Sequence, residues 1–510
     1  MGWWKGWTMK QQEPEVDVTL LLEGSYPFVR GGVSAWVHAL IQGLPELRFS
    51  LVYLGAEQRA EDTVQYPVPV NVTALHCHYL MDAGQESKPT VTEGDAGFFA
   101  DSAQLHAWMR KPTGRPEPRW IENVLLQSER PDGACAQDFF HSKAAWQQIS
   151  ESYLRNCPLS SFQAYFWSLR NMHAPLFRLA RVARSIGPSR SYHAISTGYA
   201  GLLGAMLQQH TGCPLLLTEH GIYTKERTIE LQSLHLREQQ GLLTPPGNVG
   251  MAYADEAWVR MFEGMGRLTY AAADPIISLY EVNRQRQILD GAEPARTRVV
   301  PNGVDVERFV PLRAQRSQHI PPVLGLIGRV VPIKDIKTFI RSIGTLALLM
   351  PQVQGWLIGP EEEDPGYVRE CKALVESLGL GAHIRFLGFQ KIDDLMAQLG
   401  LVVLTSISEA FPLVIGESHA SGIPVVATDV GACRDLIEGR DAEDRALGPA
   451  GAVVPIADPE ALALAAFQLL NEPGRWRCAQ QAGIQRVERY YRQSQVLDSY
   501  RSLYRSVGAA

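Results

Sequence analysis

The stretch SEAFPLVIGESHASGIPVVATDVGACRDLI occupies residues 408–437. An apolar run, LVVL at 401–404, leads into it. That run is too short for a helix and reads as a buried strand. Pro412 suits the first turn of a helix, where its fixed φ helps and its missing N–H is no loss. Gly422 suits the turn that ends one. Residues 424–427 then form a second apolar run. Strand, helix and strand in this order make a βαβ unit, and parallel strands need such a crossover.

The same rhythm extends in both directions. In the second half of the chain, strands are expected at 323–327, 353–358, 383–387, 401–404, 424–427 and 452–454, with helices between them and apolar-periodic helices over 459–504. In the first half, a strand at 16–22 precedes a helix at 33–44 and a strand at 49–54. A helical pattern covers 162–185. Strands follow at 193–196, 214–218, 275–279 and 298–300, with helices at 201–210 and 280–291. The rhythm fails between 80 and 150, which reads as an insertion with some structure or a mobile flap. Residues 311–322 are polar with closing prolines and read as a linker. The chain therefore reads as an α/β protein of two Rossmann-like domains, 1–310 and 311–480, with a last helical segment at 481–510 that could cross back to the first domain. Two such domains are expected to face each other across a cleft, with the strand C-terminal ends pointing into it.

Composition narrows the function classes. The 510 residues carry 48 Lys+Arg against 54 Asp+Glu, a formal net charge of −6. A hydrophobic fraction of 45% with 20% charged residues excludes global disorder. Mild acidity supplies no electrostatic case for a nucleic-acid partner. The seven cysteines, at 77, 135, 157, 213, 371, 433 and 478, show no CxxC and no zinc-ligand spacing, so they read as buried free thiols in a reducing compartment. The opening MGWWKGWTMK has no apolar core of a secretory signal, and no run approaches a bilayer-spanning length. A cytoplasmic protein is expected. Asn71-Val72-Thr73 matches a glycosylation sequon and reads as chance.

Several catalytic motifs are missing: no GxGxxG after a strand, no GxxxxGK[ST], no HExxH, and no DxD pair to hold a metal on a sugar diphosphate. Four segments at strand ends remain. Gly328-Arg329-Val330-Val331-Pro332-Ile333-Lys334-Asp335 sets a guanidinium and an ammonium at a helix entry, which suits a diphosphate without a metal. The bland alternative is two solvated charges. Glu409 and Glu417 flank Phe411-Pro412-Leu413-Val414, and carboxylates accept well from vicinal sugar hydroxyls. The alternative for Glu417 is a plain helix-surface carboxylate. The loop at 23–32 (EGSYPFVRGG) ends in Gly31-Gly32, where a backbone can approach a ligand closely, or it is a flexible turn. Thr218-Glu219-His220-Gly221 puts a histidine at a strand end, a ligand-facing group or a satisfied structural one.

Together these segments resemble retaining glycosyltransferases of the GT-B fold, family four. The resemblance rests on GRxxxxK at 328–334, ExxxxxxxE at 409–417 within the stretch quoted above, and Pro301-Asn302-Gly303-Val304-Asp305. It covers roughly 300–480 well and the first half more loosely. LLEGSYPFVRGGVSAWVHALI, TEHGIYTKER and the insertion add a narrower similarity to the glycosyltransferases of Pel exopolysaccharide assembly. The resemblance implies a UDP-sugar donor, UDP-N-acetylhexosamine or UDP-glucose, and no metal or other cofactor. It implies that Arg329 and Lys334 hold the diphosphate, Glu417 the ribose, Glu409 and His220 the donor sugar. Gly31 and Gly32 then approach phosphate or acceptor, and Gly328, Asn302, Phe411, Pro412, Leu413 and Val414 complete the donor site. Asp435 stands where the family more often has Glu. A polysaccharide acceptor and Pel assembly proteins of the inner membrane are the implied partners, with the chain recruited to that membrane. The alternatives are a retaining glycoside hydrolase, a UDP-sugar epimerase and a non-catalytic nucleotide-sugar binder on the same fold. The aromatic-rich span from Trp108 to Trp167, with Trp120, Phe139, Phe140, Trp146, Phe162, Tyr165 and Phe166, could stack an acceptor or simply pack the insertion.

Overall fold

Among the described residues thirteen strands form two sheets, most of them from short apolar runs between turn signals. The computed structural model describes residues 16–58, 63–81, 91–126, 136–156, 161–229, 231 and 249–508. Unit 1 holds the described residues up to Val299 together with those from Arg501 onward, and unit 2 is Val300–Tyr500.

In unit 1 the strands are β1 (Val18–Glu23), β2 (Phe49–Gly55), β3 (Val72–Tyr79), β4 (Ser191–Ala194), β5 (Leu215–Glu219), β6 (Ala273–Ser278) and β7 (Thr297–Val299). They are parallel throughout, in the order β3-β2-β1-β4-β5-β6-β7. The near-continuous apolar character of β1, β2 and β5 follows from burial on both faces. In unit 2 the strands are β8 (Val323–Ile327), β9 (Gln354–Ile358), β10 (Ile384–Gly388), β11 (Leu401–Leu404), β12 (Val425–Thr428) and β13 (Gly451–Val454). Their order is β10-β9-β8-β11-β12-β13, again all parallel. The strand order reverses between β1 and β4 in unit 1, and between β8 and β11 in unit 2. In open α/β sheets a ligand crevice lies at the carboxyl ends of the strands at such a reversal. Each unit has its own hydrophobic core. These are two Rossmann-like parallel-sheet domains of the GT-B kind.

Several expectations are corrected. β3 was not anticipated, because VTALHCHY is a half-exposed edge strand with no apolar run. The Asn71 side chain of the sequon donates to the carbonyls of Ile41, Leu44 and Leu47 at 3.0–3.2 Å, a structural use. Of the two readings of the insertion, the one with some structure fits its described residues, which include four helices, Ala96–Arg110, Ile121–Leu126, Ala136–His141 and Lys143–Asn156, joined by irregular stretches such as 111–118. A long helix, Val249–Ala272, was also missed. Residues 311–314 of the expected linker are the end of a helix, Val306–Ala314, capped by Asp305. Cys77 and Cys478 are exposed, so only Cys371 and Cys433 fit the expectation of buried thiols among the described cysteines. Cys135, Cys157 and the opening MGWWKGWTMK lie outside the described residues.

The final residues pack into unit 1. Tyr504 hydroxyl lies 2.6 Å from His193 Nδ1, and Arg501 pairs with Glu46 at 2.6 Å. Among the described residues, no helix is long and apolar enough to cross a membrane.

Candidate active site

In unit 2 the loops after β8 and β11 lie side by side, because those strands are neighbours at the reversal. Lys334 closes a short 3-10 turn, Pro332–Lys334. The next residue, Asp335, adopts the left-handed conformation at φ 44°, uncommon for a residue with a side chain. Its carboxylate makes up for this by capping the helix Ile336–Leu349, accepting from Thr338 N at 3.3 Å and Thr338 Oγ1 at 2.6 Å. Thr405 Oγ1 donates to the Lys334 carbonyl at 2.7 Å, and Ile407 N to the Ile333 carbonyl at 2.9 Å. The two loops are thus stitched together at the backbone.

Their side chains meet as well. Lys334 Nζ makes a short ion pair with Glu409 Oε1, the two side chains being 21% and 15% exposed. Ser406 Oγ donates to the same oxygen at 2.7 Å. Gly431, at φ 55°, lies against this loop: a Cβ there would come within 2.4 Å of the Glu409 carbonyl. Ala432 N donates to the Ala410 carbonyl at 2.8 Å. The ammonium and carboxylate are therefore held by three loops, with the backbone fixed on both sides.

Arg329 is placed differently. It forms a bidentate pair with Glu363, both contacts 2.6 Å and both side chains about half exposed. Gly328, one residue before it, lies beside Lys334: a Cβ built there would sit 3.7 Å from the lysine Cε. Glu417 lies on the helix Leu413–Ala420, part-buried. Burial raises its carboxyl pKa, Arg308 works against that, and Asp393 adds to it. Arg308 is itself engaged by Asp393 at 2.6 Å. Phe411 is buried edge-on to Tyr491 at 5.7 Å, Pro412 is buried, and Leu413 and Val414 are half-buried. Asn302 is buried with its amide oxygen unpartnered. Two residues on, Val304 joins the chain at Tyr491 and Gln493 by backbone hydrogen bonds of 2.8 and 2.9 Å and packs on Gly416, where a Cβ would come within 2.5 Å. The Pro301–Asp305 motif is thus at least partly architectural.

In unit 1, Gly31 caps the helix Gly32–Gly43 without any side-chain hydrogen bond, and the first turn carries no acidic residue. Nothing lies within 4 Å of a Cβ at Gly31 or Gly32. That helix start offers open amides and a favourable dipole to an anion. His220 stands edge-on to Trp36 at 4.5 Å, with Nε2 buried and unpartnered. Burial pulls its pKa down to about 4, so the ring is neutral near pH 7.

Two carboxylates in unit 1 were quoted in the sequence motifs but given no role. Glu23 ends β1 and accepts from Tyr223 hydroxyl at 2.9 Å and Ala200 N at 3.2 Å. It thereby occupies the start of the helix Tyr199–Thr211. Glu219 is fully buried and accepts from Thr197, Tyr223 N, Tyr270 and Gln287 at 2.7–3.2 Å. Burial raises its pKa. Ser406 and Glu363 in unit 2 also went unread. Ser406 is only three residues from Glu409, but pairing by a serine has no sequence signature. Among the described residues no group of three or more His, Cys, Asp or Glu side chains is arranged to hold a metal ion.

Comparison with known proteins agrees with this division. Residues 16–295 match the family described as "Domain of unknown function (DUF3492)", and residues 321–472 match "Glycosyl transferases group 1". The chain is 29% identical over 269 residues to a D-inositol 3-phosphate glycosyltransferase of Actinosynnema mirum, covering 49% of this chain and 60% of that one. It is 28% identical over 334 residues to a protein of the same description from Salinispora tropica, covering 61% and 63%. The chain thus spans about 60% of the length of these curated relatives. Among solved structures, it is similar to Anabaena HepE in complex with UDP and glucose, with TM-score 0.58, 16% identity and 96% and 100% coverage. Sucrose-phosphate synthase from Thermosynechococcus elongatus gives TM-score 0.56, 17% identity and 96% and 99% coverage. These two likenesses speak to the fold alone. With more than half its length matched by one family, the chain belongs to the DUF3492 family, here joined to a group 1 glycosyltransferase domain.

Proposed function

We propose that this protein is a retaining glycosyltransferase that moves a hexosyl or N-acetylhexosaminyl unit from a UDP-sugar to a growing exopolysaccharide of the Pel type. The observation that carries this reading is the Lys334–Glu409 pair, held between two loops at the reversal of strand order in unit 2. The group 1 glycosyltransferase match over that unit and the UDP and glucose bound to HepE, a protein of the same fold, support the donor class.

Transfer requires the departing diphosphate to be stabilised as the anomeric C–O bond breaks. A fixed ammonium does this best where water is scarce. Lys334 is the cation for that role. Arg329 joins it on exchanging Glu363 for phosphate, an exchange that costs little because an exposed ion pair contributes only about 0–1 kcal/mol. Glu417 receives the ribose hydroxyls, with Gly328, Asn302 and residues 411–414 around the nucleotide. Glu409 orients Lys334 and faces the donor sugar. In unit 1, neutral His220 donates to the sugar, and Gly31 and Gly32 present amides to phosphate or acceptor. The acceptor attacks on the face the diphosphate leaves, and that phosphate takes the proton, with no metal ion and no protein nucleophile. The protein works in the cytoplasm, recruited to the inner membrane by Pel assembly proteins.

A panel of UDP-sugars tests this, read by UDP release with and without a Pel-type oligosaccharide, with inositol phosphate as comparator acceptor. Acceptor-dependent UDP release with retained anomeric configuration is the expected result. Release without acceptor, mass-neutral isomerisation, or UDP binding with no turnover would each replace transfer by a rival activity.

A further inference from the structure

The helical insertion of unit 1, together with the helices Phe162–Ser185 and Val249–Ala272, lines a partly open cavity of about 230 Å³ that holds none of the residues assigned above to the donor site. It is larger than the ~150 Å³ apolar cavity that admits benzene. Phe99, Met109, Phe139, Leu176 and Met261 form much of its wall. His106 and His173 are also in that wall, with Nε2 atoms 2.6 Å apart. Each Nδ1 faces the carbonyl one helical turn back, Ser102 at 2.6 Å and Leu169 at 2.7 Å. A carbonyl only accepts, so both Nδ1 atoms carry hydrogen. Two neutral rings would then oppose bare lone pairs at 2.6 Å. One shared proton turns that contact into an N–H···N hydrogen bond and leaves one positive charge on the pair.

Burial opposes that charge, pulling His106 down to about 3 and lowering His173. A buried cation of this kind persists when an anion accompanies it. The other charged groups lining the cavity are Arg110, Glu151, Arg155, Arg170 and Arg260, mostly cationic. Arg260 pairs with Glu256 at 2.7 Å, Glu151 accepts from Gln147 at 2.8 Å, and Arg170 lies over the Phe140 ring at 4.7 Å. An apolar, aromatic interior with cationic groups around it suits a ligand of matching polarity.

We propose that this cavity binds an amphipathic anion, a single alkyl chain with an anionic head, with the chain among the aromatic side chains and the head beside the His106–His173 pair. Binding is coupled to uptake of the proton the two rings share. The test uses the full chain and decyl phosphate, with decanoate as a second anion and decyl maltoside as the neutral control, all below micelle formation. Calorimetry in buffers of different ionisation heat reads affinity and proton uptake together between about pH 6 and pH 8. Both anions are expected to bind about tenfold or more tighter than the neutral control, with proton uptake on binding. His106→Phe should abolish the uptake and weaken anion binding about tenfold. Ala103→Trp, at an exposed lining position, should block all three ligands while circular dichroism stays unchanged. Equal affinity for anion and neutral ligand, absence of proton uptake, no saturable binding, or binding unaffected by Ala103→Trp would each overturn the proposal.

Discussion

Replacing Lys334 by Met removes the ammonium while keeping most of the side-chain length. At an effective dielectric of about 20, unit charges about 4 Å apart interact by about 4 kcal/mol. Lys334 is one-fifth exposed, so solvent screens part of this, and about 2–4 kcal/mol is a fair range for stabilisation of a departing diphosphate. At about 1.4 kcal/mol per tenfold, the expected fall in kcat is roughly 30- to 1,000-fold. Charge develops on the diphosphate only as the bond breaks, so UDP binding should weaken less than kcat falls. Ser406 still holds Glu409 at 2.7 Å, which limits local rearrangement. The assay is acceptor-dependent UDP release, with UDP binding by calorimetry and thermal unfolding as a check on the fold. Lys334→Arg should recover part of the loss, because it restores charge but not the compact ammonium. A folded Lys334→Met protein within threefold of wild type would refute the assignment of Lys334 to the leaving group.

Other parts of the structure carry their own expectations. Arg486 and Asp444 form a fully buried pair at 2.5 Å, and the guanidinium also donates to the carbonyls of Ile437, Asp444 and Gly448. Asp444→Ala strands that charge and should cost about 3–5 kcal/mol, seen in urea unfolding; a loss under about 1 kcal/mol would contradict it. Gly416→Val sets a side chain against Val304, already 2.5 Å from a bare Cβ, and should destabilise by about 1–3 kcal/mol, whereas an unchanged melting temperature would show that the 301–305 segment yields freely. His193 and His220 are held neutral by burial, with pKa values lowered from 6.5 to about 3 and about 4. Below pH 6.5 the unfolded chain therefore binds more protons than the folded one, so stability falls as pH drops from 6.5 toward 4. Melting temperature against pH should show this, and His193→Gln should flatten the slope; an unchanged slope would mean that His193 does not contribute.

The strands were legible wherever an apolar run was bounded by turn residues. β8 and β11 were read to the residue, because both lie in the middle of a buried sheet and carry only apolar side chains. β3 was not, since an edge strand half in water needs no such run. The helices of the insertion were hidden because few buried apolar side chains mark them: Lys143–Asn156 has Ala145 alone buried, and the buried face of Ala96–Arg110 includes Ser102. Within the site, Lys334 and Glu409 could be named as separate motif members. Their contact could not, because it joins residues 75 positions apart.

By itself, the sequence determined the alternation of strand and helix, and with it two parallel sheets, since a helical connection returns the chain to the same end of the sheet before each new strand. It also determined which charged residues stand at strand ends. The tertiary structure decided how those residues are engaged. It pairs Lys334 with Glu409 but Arg329 with Glu363, and it brings His106 against His173 across 67 positions. Local order follows from side chains a few residues apart. Partner choice follows from which loops the sheet order places next to each other, and that depends on the packing of the whole domain.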